Sequence, residues 1–169
     1  RFETFLKMTS GTDVTLVAKV PLEAKFKRDL YNAGVIAEWY LPKFDDSKWG
    51  TKNTFHTWDA QDKPEDAEGH DYDGYGWYRF NVDVPADMAN KPLKLHLGGV
   101  INEGWVWANG NYVGHRPWLL WWAGREPLEM DVDLTGKVKA GPNTIAVRVW
   151  NSNELGGLLR RGFLWSPKK

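Results

Sequence analysis

The stretch Trp105-Val106-Trp107-Ala108-Asn109-Gly110 constrains this chain more than any other. Trp105 and Trp107 alternate with Val106, the period of two that marks a strand. Asn109-Gly110 follows at once, and both residues tolerate the positive φ that a two-residue hairpin turn demands. Tyr112 and Val113 open the return strand, so Gly98–His115 reads as strand, tight turn, strand. A chain that commits to such a hairpin needs further strands to cover it.

Those strands recur along the sequence. Val14–Val20 alternates and ends at Pro21; Phe26–Asp29 reads as a short strand, broken by Asn32-Ala33-Gly34. Trp77–Val84 puts Tyr78, Phe80, Val82 and Val84 on one face and Arg79, Asn81 and Asp83 on the other. Leu93, Leu95 and Leu97 point inward between Lys94 and His96, with His96 read as solvated. Leu128, Met130 and Val132 alternate with acids. Asn143–Asn151 sends Ile145, Val147 and Val149 inward and Ala146, Arg148 and Trp150 outward. Leu158–Trp165 is the last strand. Arg1–Ser10 shows no clear period, and Leu134–Ala140 reads as one helical turn. Trp39–Trp49, with Pro42 and Asp45-Asp46-Ser47, reads as an ordered loop with aromatic anchors. Thr51–Gly76 is long and polar; its Trp58, Tyr72 and Tyr75 argue for a functional loop rather than disorder. Short strands with turns and no long helical period predict an all-β chain: one antiparallel β-sandwich over residues 1–169, arranged as a jelly roll.

The chain has 169 residues, with 22 Lys+Arg against 22 Asp+Glu. That balance gives no basic footprint for nucleic acid and no charged tail. No apolar run reaches membrane-spanning length. With no Cys, disulfides and thiol chemistry are excluded. An opening at Arg1 without Met suggests a piece excised from a larger multidomain protein. Eleven Trp are the outlying number, and about half are expected in the core. The remainder offer flat faces on which the C–H face of a sugar ring can stack.

Six motifs in order carry a resemblance. They are Phe44-Asp45-Asp46-Ser47-Lys48-Trp49; Tyr72 to Arg79 with Val84-Pro85; Trp105 to Gly110 with Val113-Gly114-His115; Asp131 to Thr135; Gly141 to Val149; and Asn151 to Gly157. In this order, from about Phe26 to Pro167, the chain resembles the sugar-binding, galactose-binding-like β-sandwich of the β-galactosidase/β-glucuronidase glycoside hydrolase family. It is similar also to carbohydrate-binding modules of secreted bacterial polysaccharide-degrading enzymes. The resemblance implies a non-catalytic domain, because in those enzymes the catalytic pair sits on a separate barrel. It implies an extracellular or periplasmic setting too. Trp118–Trp122 departs from the family pattern.

The candidate carbohydrate-binding residues each have a structural alternative. Trp118, Trp121 and Trp122 are a stacking platform or a contact with another domain. Trp58, Tyr72 and Asp73 are an aromatic wall with a carboxylate acceptor for vicinal hydroxyls, or a loop folded back with Asp73-Gly74 as a turn. Asn102 and Glu103 take hydroxyls at a strand end, or are turn chemistry and a solvated acid. His115 and Arg116 donate to a hydroxyl or to a uronic or sulfated group, or Arg116 makes a surface salt bridge. Asn153, with Glu154, precedes Gly156-Gly157, which brings backbone close to a ligand or makes a tight turn. Arg79 and Arg148 read as structural.

No nucleophile elbow, dinucleotide loop or metal spacing is present. A glycosidase pair must stand roughly 5–10 Å apart across the bond, and no motif suggests one. No cofactor is expected; Glu68, Asp71 and Asp73 are the one group that could ligate a structural calcium. The sequence thus points to a module with no catalytic residue. It would bind a plant or algal polysaccharide and hold a linked catalytic domain near it. The alternative is an accessory domain that only packs against a glycoside hydrolase barrel. No nucleic-acid or membrane partner is expected.

Overall fold

A computed structural model describes residues 2–61, 72–118, 128–152 and 155–168. A helix, α1 (Phe2–Ser10), precedes twelve strands: β1 (Val14–Lys19), β2 (Glu23–Asp29), β3 (Gly50–Asn53), β4 (Gly74–Val84), β5 (Lys94–Leu97), β6 (Val100–Ile101), β7 (Glu103–Ala108), β8 (Asn111–Arg116), β9 (Met130–Asp133), β10 (Gly141–Asn151), β11 (Gly157–Leu158) and β12 (Phe163–Pro167). A four-stranded sheet runs β1-β12-β5-β9, a six-stranded sheet β3-β2-β4-β10-β7-β8, and β11 pairs with β6. Every pairing is antiparallel. The architecture is the antiparallel β-sandwich that the strand spacing predicts.

Alternation decides what lies between the sheets. Tyr78, Phe80, Val82 and Val84 of β4 and Ile145, Val147 and Val149 of β10 meet Leu95, Leu97, Val132 and Leu164 of the smaller sheet in one buried cluster. The Asn109-Gly110 turn takes φ of 50° and 84°. Asn109 also ties the turn to β10: its side-chain amide donates to Asn143 at 2.8 Å and its Oδ1 accepts from the Thr144 N–H at 3.0 Å.

Several expectations need correction. Residues 2–10 are helical, with Glu3 accepting from the Leu16 N–H at 3.3 Å. His96 is not solvated: it is 6% exposed, between Phe5 and Phe163, with Nδ1 3.0 Å from Asp131. Residues 134–140 form a turn closed by Lys137 N–H on the Leu134 carbonyl, with no helix. The last predicted strand is two, β11 and β12, and the long loop carries β3 at its start.

The outward face of the six-stranded sheet is also largely covered. Register sets it out in rows. Lys25, Arg79, Ala146, Trp107 and Tyr112 form one; Lys27, Trp77, Arg148, Trp105 and His115 the next; Asp29, Tyr75, Trp150 and Glu103 the last. Residues 30–49 fold back across the first of these and part of the second. Trp39, Trp49, Trp77, Trp107 and Ala146 make a second buried cluster there. Asp29, 3% exposed, anchors the crossing: its carboxylate accepts from Ala33 N–H (2.8 Å), Gly34 N–H (2.9 Å) and the Trp77 indole (3.0 Å). A Cβ on Gly34 would stand 2.5 Å from Trp77 Nε1, so only glycine fits. Arg79, 4% exposed, pairs with Asp46 at 2.8 Å and donates to the Trp39 carbonyl. This fastens the Asp45-Asp46-Ser47 segment to the sheet.

Candidate functional site: the open end of the outward face

The covering segment leaves one end of this face open. Asn151 pairs with Gly74, Trp150 with Glu103, and Gly104 with Arg116. The start of β4, the end of β10, the start of β7 and the end of β8 therefore lie side by side. Tyr72, Asp73, Asn102, Glu103, His115 and Arg116 are distant in sequence, and this register gathers them at one end.

Half-buried aromatic rings form its floor: Tyr75, Trp105 and Trp150. Tyr75 lies 6.2 Å from Trp105 and 6.5 Å from Trp150, centroid to centroid. Between Tyr75 and Trp105 sits the Arg148 guanidinium, 3.8 Å from the first ring centre and 4.6 Å from the second. Arg148 also donates to Asn32 Oδ1. Burial lowers its pKa, while Tyr75, Asp29 and Glu103 act in the opposite direction. The imidazole of His115 stacks on Trp105 at 5.1 Å and 18°. Its Nε2 is 2.7 Å from Glu103 Oε1. Asp73 is exposed and accepts from the Asn151 amide at 3.3 Å. Rings with polar groups at their edges can bind a molecule that is apolar on its faces and hydroxylated at its rim.

Three sequence candidates belong to the interior. Trp58 is 1% exposed; a Cβ on Gly156 would fall 2.4 Å from its ring and one on Gly76 2.7 Å. Its indole N–H is spent on the Tyr72 carbonyl at 3.1 Å, so it offers no wall for a ligand. Asn102 is 1% exposed and donates to Asn151 at 2.9 Å. Arg116 points into the sandwich, 6% exposed, and donates to the carbonyls of Val100 and Asn102. Its guanidinium is thus turned away from the surface position that both sequence readings assumed. Tyr72 is half-buried against Trp58, with the Arg28 guanidinium 4.8 Å over its ring. Burial raises the Tyr72 pKa. Asp73-Gly74 is no turn, since Gly74 opens β4 at φ 140°.

Glu103 and His115 lie on the open face as a bonded pair. Trp118, 40% exposed, follows the end of β8. Trp121, Trp122 and Asn153 fall outside the described residues, as do Glu68 and Asp71 of the calcium expectation. Among the described residues no group of three His, Asp or Glu side chains is placed to hold a metal ion, and no helix is long and apolar enough to cross a membrane. Sequence reasoning missed Tyr75, Trp150 and Arg148 as site residues, although strand parity already turned Arg148 and Trp150 outward.

Residues 36–154 match the family described as the beta-galactosidase second all-beta domain. Among curated proteins, a Formosa agariphila protein with a provisional beta-glucuronidase name is 32% identical over 117 residues, 65% of this chain and 10% of its own length. A Bacteroides ovatus beta-galactosidase is 30% identical over 120 residues, 67% of this chain and 13% of its own. This chain thus spans a small part of the curated relatives it matches. The solved Ruminococcus gnavus beta-glucuronidase superposes with a TM-score of 0.76 at 17% identity, covering 92% of this chain and 29% of that one. That likeness speaks to the fold.

Proposed function

We propose that this chain, which belongs to the beta-galactosidase second all-beta domain family, is a non-catalytic carbohydrate-binding module of a larger glycoside hydrolase. The observation that carries this reading is the open aromatic end of the outward face. Tyr75, Trp105 and Trp150 are only half-buried there, with the Arg148 guanidinium over the first two rings and His115 stacked on Trp105, while Glu103, His115 and Asp73 supply donors and acceptors. A sugar ring satisfies both: its C–H face stacks on indole and its equatorial hydroxyls reach the polar edge. In such a protein the module acts extracellularly or in the periplasm. It holds a plant or algal glycan near the catalytic domain, where weak affinity suffices because tethering raises the local concentration. The test is retardation of the chain in gels containing single polysaccharides, beside Trp105→Ala. One retarding glycan, with retardation lost in the variant, is the expected result; no retardation across the panel rejects the reading.

A second reading has its own observation. Leu30, Tyr31, Val35 and Ile36 are 64%, 89%, 39% and 89% exposed on one short segment. The backbone beneath them is fixed by Asp29 and by the Trp39 N–H to Gly34 carbonyl bond at 2.9 Å. An ordered apolar knuckle suits packing against a neighbouring domain of the same longer chain. If that packing is the sole role, Tyr31→Ser with Ile36→Ser raises the solubility of the chain and no glycan retards it.

A further inference from the structure

The outward face of the smaller sheet carries a cavity of its own. Register sets Phe163 of β12, His96 of β5 and Asp131 of β9 side by side. Leu164, Leu95 and Val132 of the same strands fill the core, so this row points away from it. α1 brings Phe5 to within 5.8 Å of His96, and Phe163 is 4.9 Å from it, centroid to centroid. These three rings and Gly98 line a cavity of about 310 Å³, with Glu129, Arg160 and Arg161 completing the wall. Arg160 pairs with Glu129 at 3.1 Å, and Arg161 Nε donates to the Val20 carbonyl at 3.0 Å. His96 is 6% exposed, with Nδ1 3.0 Å from Asp131 Oδ1. In a neutral imidazole one nitrogen donates and the other accepts. With the Nδ1 proton on the carboxylate, Nε2 is left as the acceptor. Nε2 has no partner among the described residues, yet it is not sealed from solvent. It therefore opens onto the cavity that its ring lines.

Apolar cavities take in small aromatic molecules, and a single placed polar group orients them. A sugar would carry several hydroxyls past two phenyl rings that can pair none of them, at the cost of their hydration. A phenol brings one donor and one flat apolar ring. We propose that this cavity binds a small phenolic compound, whose hydroxyl donates to His96 Nε2 and whose ring packs against Phe5 and Phe163. The site lies on the other sheet from the open aromatic end, and it stands or falls independently of the carbohydrate-binding reading.

The test adds phenol, or its methyl ether anisole, to the chain at about pH 8.5, where phenol keeps its proton. Proton–nitrogen correlation spectra follow the histidine rings, and calorimetry gives the affinities. The His96 Nε2 signal is expected to move and to saturate at millimolar phenol. Anisole has the ring without the donor and is expected to bind at least about fivefold more weakly. His96→Phe keeps a ring and removes the acceptor, so phenol and anisole are expected to bind within about twofold of each other. Phe5→Ala removes a wall contributed by a residue 42% exposed and outside the sandwich core. It is expected to weaken phenol at least about fivefold. No binding at millimolar phenol, a shift at His115 with none at His96, anisole equal to phenol, or unchanged binding in Phe5→Ala overturns the proposal.

Discussion

His115 lies nearly parallel on Trp105, ring centroids 5.1 Å apart at 18°, with Glu103 held against its far nitrogen at 2.7 Å. The pair crosses from β7 to β8 in direct register. One face of Trp105 is thereby supported at the strand edge, and Arg148 supports the ring toward Tyr75. An aromatic ring held from two sides is preorganised, which lowers the entropic cost of ligand binding. His115→Ala is therefore expected to weaken glycan binding by a smaller factor than Trp105→Ala. For Trp105→Ala the loss is about tenfold or more, since an aromatic contact is worth about 0.5–1.5 kcal/mol beyond its buried area. Titration of both variants against the retarding glycan checks the order.

Asp29 is expected to matter for stability and not for ligand contact. Asp29→Ala leaves the N–H groups of Ala33, Gly34 and Trp77 without their acceptor. Each orphaned buried donor costs about 1–3 kcal/mol. A loss of at least about 2 kcal/mol in urea unfolding is predicted, with near-ultraviolet circular dichroism from the Trp39, Trp77 and Trp107 cluster reduced in the folded protein.

Gly34→Ala tests the same crossing by volume rather than by polarity. The new methyl would meet Trp77 at 2.5 Å and Trp39 at 2.7 Å. Both rings are buried, so the covering segment must shift. Overpacking of this kind costs about 1–3 kcal/mol. Gly136→Ala is a useful contrast, for a Cβ there meets nothing within 4 Å and the strain comes only from its φ of 70°. Its unfolding midpoint is expected to fall by less.

The buried position of Tyr72 gives a pH dependence. Burial raises its pKa above the ordinary tyrosine value, near 10. The unfolded chain then releases the phenolic proton at lower pH than the folded one. Stability from this group is present below about pH 10 and is lost as pH rises through the folded pKa. Tyr72→Phe is expected to flatten the fall in unfolding free energy above about pH 10; an unchanged slope would contradict it.

The parts of this fold that were legible in the sequence are those where alternation and turn chemistry act locally. The Asn109-Gly110 hairpin, the inward set Ile145, Val147 and Val149, and the aromatic anchoring of residues 39–49 all follow from period and composition. What alternation cannot show is whether an outward face meets water. Arg79, Arg148, Trp77 and Trp107 point outward and are buried, because residues 30–49 fold over them through contacts made by Asp29 and Gly34. The helix over residues 2–10 has only Phe2, Phe5 and Leu6 at helical spacing, too short a run to register. The candidate site divides in the same way. Residues near the ends of β4, β7 and β8 were picked separately from the sequence, and antiparallel register is what brings them to one end. Which of them face out depends on register, and that sent Arg116 and Asn102 inward and left Tyr75 and Trp150 open.

The most direct measurement follows the indole N–H resonances of the chain while neutral oligosaccharides are added. The account predicts that Trp105 and Trp150 shift with at least one of them, while the buried Trp58, Trp77 and Trp165 stay in place. Shifts confined to other tryptophans, or none at millimolar sugar, would contradict the assignment of the open end as a carbohydrate site.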